Sequence, residues 1–213
     1  MSEDIGSPET TPRAWAMPRD DGRVYVGLDE AYRYIHDFMV ERGPFDGIMG
    51  FSQGACMAAI VAALLENPSL NHAWPSHPPL PRLQCAYQNS RVVITTLIHC
   101  AVLICVGGFL PTSTTPSFAG YFPLPAHLPV LHVMGRNDTH MVPERSELLA
   151  RQCLNSRVEM HDGGHYTPTK ANWRRFFRFG PSGIHSYGAM QSAVLPVGER
   201  ILPAAPAAPA IQA

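Results

Sequence analysis

From residue 28 onward, apolar positions fall into runs whose spacing changes from one stretch to the next. Leu28, Tyr32, Ile35, Phe38 and Met39 recur at helical spacing, with Asp29 and Glu30 in the first turn, where negative charge suits the helix dipole. The spacing predicts a helix that Gly43-Pro44 ends. An apolar strand follows over residues 45–51, then a sharp turn, then an Ala-rich helix with no charge until Glu66. Pro68, Pro75, Pro78, Pro79 and Pro81 prevent regular structure over the next stretch. From Val92 to Leu110 the chain is uncharged. A run of that length can cross a bilayer. Its β-branched residues, and the breaks at Thr95-Thr96, His99 and Gly107-Gly108, favour buried strand instead. Residues 100–109 read as a central parallel strand, and 92–98 as surplus to it.

The second half repeats the alternation. Residues 130–134 predict a strand and 143–153 a helix with Pro at its first turn and Leu148, Leu149 and Cys153 on its apolar side. A short strand over 158–161 and an amphipathic helix over 171–179 follow, the helix burying Trp173, Phe176 and Phe177. Strands alternating with helices predict an α/β fold, a mostly parallel sheet with helices on both faces. The expected organisation is an irregular N-terminal arm over 1–23, where Pro8, Pro12 and Pro18 stand among polar residues, and one domain over 24–179. That domain carries an irregular insertion around 67–98, and a low-complexity tail over 180–213 ends in LPAAPAAPAIQA.

Composition narrows the function. The 213 residues suffice for one sizeable core. A net charge of −1 leaves no electrostatic footprint for nucleic acid or an anionic membrane, and does not exclude a small neutral or acyl-bearing substrate. The five cysteines form no C-x-x-C pair and are odd in number, which argues against a disulfide framework. The polar, acidic start MSEDIGSPETTPRAW has no apolar core of a signal peptide. A reducing, cytoplasmic compartment is expected from both.

The turn between the strand and the Ala-rich helix reads Gly50-Phe51-Ser52-Gln53-Gly54. This is the G-x-S-x-G pattern in the context it requires, strand before and helix after. The serine hydroxyl is raised at a strained corner, and the Gln53 backbone N–H at the helix N-terminus can hold a developing oxyanion. A serine needs a base to remove its proton, and the base needs an acid to orient it. In chain order Ser52 is followed by Asp138 and His165, both in loops just past predicted strands. Asp138 competes with a role as a turn cap. His165 competes with nine other histidines. Of these His132 lies inside a strand and reads as a satisfied core side chain, while His140 and His161 lie close in sequence to the expected site. His161 and His165 are four apart but on a strand and turn, so a metal pair is disfavoured.

Three segments together resemble the FSH serine-hydrolase family: GLDEAYRYIHDFMVERGPFDGIMGFSQGACMAAIVAALL, LPVLHVMGRNDTHMVPERSELLARQC and HDGGHYTP. These are α/β-hydrolases of fungi and animals that include polyketide-releasing thioesterases. The resemblance covers residues 12–179 with gaps in the middle, and places the nucleophile at Ser52, the acid at Asp138 and the base at His165. It implies hydrolysis of an ester or acyl-thioester through an acyl-enzyme, without cofactor. Fungal-type secondary metabolism and a carrier-protein-bound acyl chain are implied with it.

Two departures from that family shape the expectations. No H-G-x-G loop, the family's second oxyanion donor, precedes Ser52, so the domain reads as truncated on its N-terminal side. The elbow strand is then expected to have an open flank and the chain to self-associate. The residues around 84–98 are surplus to the pattern. The reading from a different class is a catalytically weak remnant that binds an acyl ligand or a protein.

Overall fold

The computed structural model describes residues 14–43, 45, 47–73, 78–81, 102–112 and 117–183. Four parallel strands form the sheet, in the order β3 (Gly47–Phe51), β4 (Val102–Val106), β5 (Val130–Gly135) and β6 (Ser156–His161). Each is adjacent to the next in sequence, so the chain steps across the sheet in one direction. Right-handed crossovers then place every connecting helix on one face. That face carries α1 (Leu28–Arg42), α2 (Gln53–Glu66) and α3 (Pro143–Arg151), while α4 (Ala171–Gly183) covers the other.

Alternation along the strands divides the core accordingly. Leu103 and Cys105 of β4 pack with α1 and α2, whereas Ile104 and Val106 pack with Leu131, Val133 and Trp173. The elements match the hydrophobic pattern closely because both sheet faces are buried, which makes the central strands continuously apolar. The α2 helix is buried from Ala55 to Leu65. It tolerates this because its alanines let it lie close on β3 and β4.

The structure corrects the reading at several places. Residues 1–23 are not wholly irregular: β1 (Met17–Arg19) pairs antiparallel with β2 (Val24–Val26). The connection passes through Asp20, Asp21 and Gly22, all at positive φ, a conformation that aspartate and glycine accept with less strain than other residues. This hairpin is pinned by tertiary contacts, with Ala16 buried and the Tyr25 and Phe118 rings 6.4 Å apart. Its own propensity did not announce it. Phe38 and Leu148, expected inward, are exposed. The α4 helix continues past 179 to Gly183. The insertion contains a 3-10 turn at Pro68–Ala73, and the Tyr32 hydroxyl lies 2.6 Å from Asn71 Oδ1. The surplus stretch 92–98, the arm before residue 14 and the tail beyond 183 lie outside the described residues. Of the uncharged run, 102–106 is the strand β4. Among the described residues no helix is long and apolar enough to cross a membrane.

His132 lies in the core of β5 as expected, but its Nε2 has no hydrogen-bond partner among the described residues. Burial holds its pKa down at about 3, against an ordinary 6.5. The unfolded chain therefore binds a proton that the folded chain refuses, and stability falls as pH drops from about 6.5 toward about 3. His132→Leu, of similar volume, is expected to lose less melting temperature than the wild type between about pH 7 and about pH 5. Parallel melting curves at the two pH values check this.

Candidate active site

Parallel strands bring their C-terminal ends to one edge of the sheet, where open α/β folds hold their ligands. Four loops converge there, after Phe51, Val106, Gly135 and His161. Ser52 is the corner between β3 and α2, at φ 53° and ψ −121°. Its N–H remains tied to the sheet through Val106 O at 2.8 Å. Glycine is obligatory at position 50, since a Cβ there would sit 2.1 Å from Gly54 O. The strand and the helix therefore cross almost backbone to backbone, and the serine side chain projects from the corner.

The structure brings the three sequence-predicted residues together. His165 Nε2 lies 2.8 Å from Ser52 Oγ, and His165 Nδ1 lies 2.7 Å from Asp138 Oδ2. The carboxylate can only accept, so Nδ1 carries the hydrogen and Nε2 offers its lone pair to the serine hydroxyl. Asp138 is buried, and its other oxygen accepts the backbone N–H groups of His140 at 3.0 Å and Met141 at 2.8 Å. Burial alone would raise its pKa. The hydrogen bonds from Met141, His165 and His140, with the charge of His165, outweigh burial and hold the carboxyl below its ordinary range. The aspartate thus caps its own turn with one oxygen and meets the histidine ring with the other.

The imidazole is fixed by packing as well. The Phe51 ring lies 4.7 Å from it and the His140 ring 5.7 Å. Gly107, at φ +54°, leaves the space it occupies: a Cβ there would meet His165 Cε1 at 3.2 Å. His161 is held apart from Ser52. Its Nδ1 accepts the Gly163 N–H at 3.2 Å, and its ring packs against Tyr166 and Trp173. Burial lowers its pKa, despite the opposing charges of Asp138 and Asp162. It shapes the loop that carries His165. Among the described residues no group of His, Cys, Asp and Glu could hold a metal ion.

Sequence reasoning missed the side chain of Gln53. Its Oε1 accepts from Trp15 N at 2.7 Å and Ala16 N at 3.4 Å, and its Nε2 donates to Ala16 O at 2.6 Å. The first residue of α2 thereby clamps the segment before β1. A lone amide in an otherwise apolar first turn was the signal available.

The serine hydrolase (FSH1) family profile matches residues 1–177. The chain belongs to that family. It is 31% identical over 180 residues to the mouse protein "Esterase OVCA2", covering 80% of this chain and 68% of that one. It is 30% identical over 164 residues to "Dihydrofolate reductase" of Schizosaccharomyces pombe, covering 77% of this chain but only 31% of the yeast protein. Among solved structures the acyl-protein thioesterase 2 of Zea mays superposes with a TM-score of 0.51 at 15% identity, over 80% of this chain and 72% of that one. That likeness speaks for the α/β-hydrolase fold.

Gln53→Ala removes the three bonds to residues 15 and 16. It is expected to cost about 2 kcal/mol. A thermal melt should read this as a fall of about 4–8 °C. An unchanged melting temperature would show that the clamp contributes nothing.

Proposed function

We propose that the chain is a serine esterase or acyl-thioesterase that works through an acyl-enzyme on Ser52. The observation that carries this reading is the pair of hydrogen bonds in series, 2.8 Å from Ser52 Oγ to His165 Nε2 and 2.7 Å from His165 Nδ1 to Asp138 Oδ2. The name of the mouse relative supports the ester class.

Ser52 Oγ attacks the acyl carbonyl carbon while its proton passes to His165 Nε2. Gln53 N–H, at the start of α2, receives the oxyanion. Collapse expels the alcohol or thiol, which takes the proton from Nε2. Water then attacks the acyl-serine with His165 again as base, and the acid leaves. Throughout, Asp138 holds the Nδ1 proton and offsets the charge that appears on the ring. Residue by residue, Ser52 is the nucleophile, His165 the base and Asp138 the orienting acid. No cofactor is needed for these steps. The finer reading, from the sequence resemblance, is a polyketide-like acyl group on a small molecule or carrier protein in a cytoplasmic secondary pathway.

One observation favours the second reading, an acyl-binding module with weak turnover. The Trp15 and Ala16 N–H groups beside the elbow already serve Gln53 Oε1. Among the described residues the oxyanion is then left with the helix N-terminus, and one missing donor typically costs about a hundredfold to a thousandfold in rate. Slow turnover is therefore expected.

Hydrolysis of a p-nitrophenyl ester and of an acyl-thioester tests the reading. Ser52→Ala, His165→Ala and Asp138→Asn should each lower the rate by about a thousandfold or more, since such residues act as a unit. His140→Ala, at an exposed neighbour, should stay within about tenfold of wild type. Loss of activity in His140→Ala with retention in His165→Ala would overturn the assignment of the base. Equal background hydrolysis by all five proteins would favour the binding module.

A further inference from the structure

Among the described residues the elbow strand is an edge strand, paired with β4 on one side alone. Because Ser52 N–H donates to Val106 O on β4, the alternation of a parallel ladder turns Ile48 and Gly50 toward β4 as well. Gly47, Met49 and Phe51 then direct their N–H and C=O outward, and no acceptor or donor meets them among the described residues. Beside this edge runs a groove of about 260 Å³, walled by Ile35, Phe38, Ile48, Met57 and Val61. Trp15, Tyr34, Phe38 and Met49 stand exposed around it. Trp15, Tyr34, Phe38 and Phe45 form a run of ring contacts at 6.3, 6.5 and 5.5 Å. Among the described residues no charged side chain lines the groove. An occupant must therefore bring an unpaired strand edge and an apolar face together.

We propose that the occupant is a second copy of this chain, its β3 paired antiparallel with the first about a twofold axis through Met49. The strand sequence Gly-Ile-Met-Gly-Phe is complementary to itself in that register. Met49 faces Met49 of the second copy, Gly47 faces Phe51, and Ile48 faces Gly50. Each bulky, stiff side chain meets a glycine, and the pair on the axis is the flexible one. The three outward residues of each strand all become hydrogen-bonded pairs, so every open N–H and C=O of the edge is satisfied. A register shifted by one pair leaves Gly47 unpaired and sets Met49 against Phe51. The twofold also brings the two aromatic runs toward one another, which buries apolar surface on both copies at once. This surface is independent of the catalytic reading.

Sedimentation velocity of the full chain over a concentration series tests the proposal. A monomer–dimer equilibrium is expected, weakened by about tenfold or more in Met49→Lys, which sets like charges opposite each other on the axis. The far-ultraviolet circular dichroism of the variant, whose altered side chain is exposed, should match wild type. On oxidation Met49→Cys should link two copies through that cysteine, since facing Cα atoms in such a pair lie about 5.5 Å apart. Ile48→Cys, opposite a glycine, should not. A monomer at every concentration with Met49→Cys unlinked overturns the proposal and assigns the edge to another segment of the same chain or to solvent. A dimer indifferent to Met49→Lys, or an assembly larger than two, overturns it equally.

Discussion

A serine at φ 53° and ψ −121° persists only where the surroundings over-determine it. Here the constraint is the crossing of β3 and α2, which leaves no space for a Cβ on Gly50 and is held from the sheet side by the bond from Ser52 N–H to Val106 O. The Ala-rich face of α2 keeps the helix close to the sheet, and burial of that helix from Ala55 to Leu65 anchors the corner. Opening the corner would require lifting the whole helix from the core. The parallel direction of the sheet does the rest, because it delivers the loops after β4, β5 and β6 to the same edge as the serine. Gly107, Asp138 and His165 come one from each of those loops.

Electrostatics at this edge separates residues of one type by environment. Asp138 is buried yet ionised, because backbone N–H groups and the imidazole supply more than burial removes. Its depressed pKa makes it a source of stability that is present above the ordinary carboxylate range and lost as pH falls through its folded value. Burial lowers the pKa of His132, within β5, and of His161, where β6 ends. Among the described histidines only His165 touches both a serine hydroxyl and a carboxylate. The chemistry proposed for it rests on that position.

Much of this was legible in the amino-acid order, for physical reasons that also mark the limit. Helical spacing located α1, and predominantly apolar runs located β4 and β5, since a strand buried on both faces is largely apolar. The glycines around Ser52 announced a tight turn, so the order of serine, aspartate and histidine could be read against strand ends. The β1–β2 hairpin was not legible, because contacts from Gln53 and Phe118, distant in sequence, hold it. Nor was the exposure of Phe38: helical spacing assigns it to the apolar face of α1, but it stacks between the exposed Tyr34 and the half-buried Phe45. The role of the Gln53 side chain depends on a backbone segment 38 residues away, which no local pattern encodes.

The proposed chemistry requires that the corner present Ser52 to His165 as an activated nucleophile. Incubation with a fluorophosphonate, followed by proteolysis and mass spectrometry of the labelled peptides, tests it most directly, because only an activated serine attacks phosphorus quickly. The account predicts one rapidly labelled site, on the peptide carrying Ser52, with labelling that disappears in His165→Ala. Labelling of Ser52 no faster than that of other exposed serines, or undiminished in His165→Ala, would contradict it.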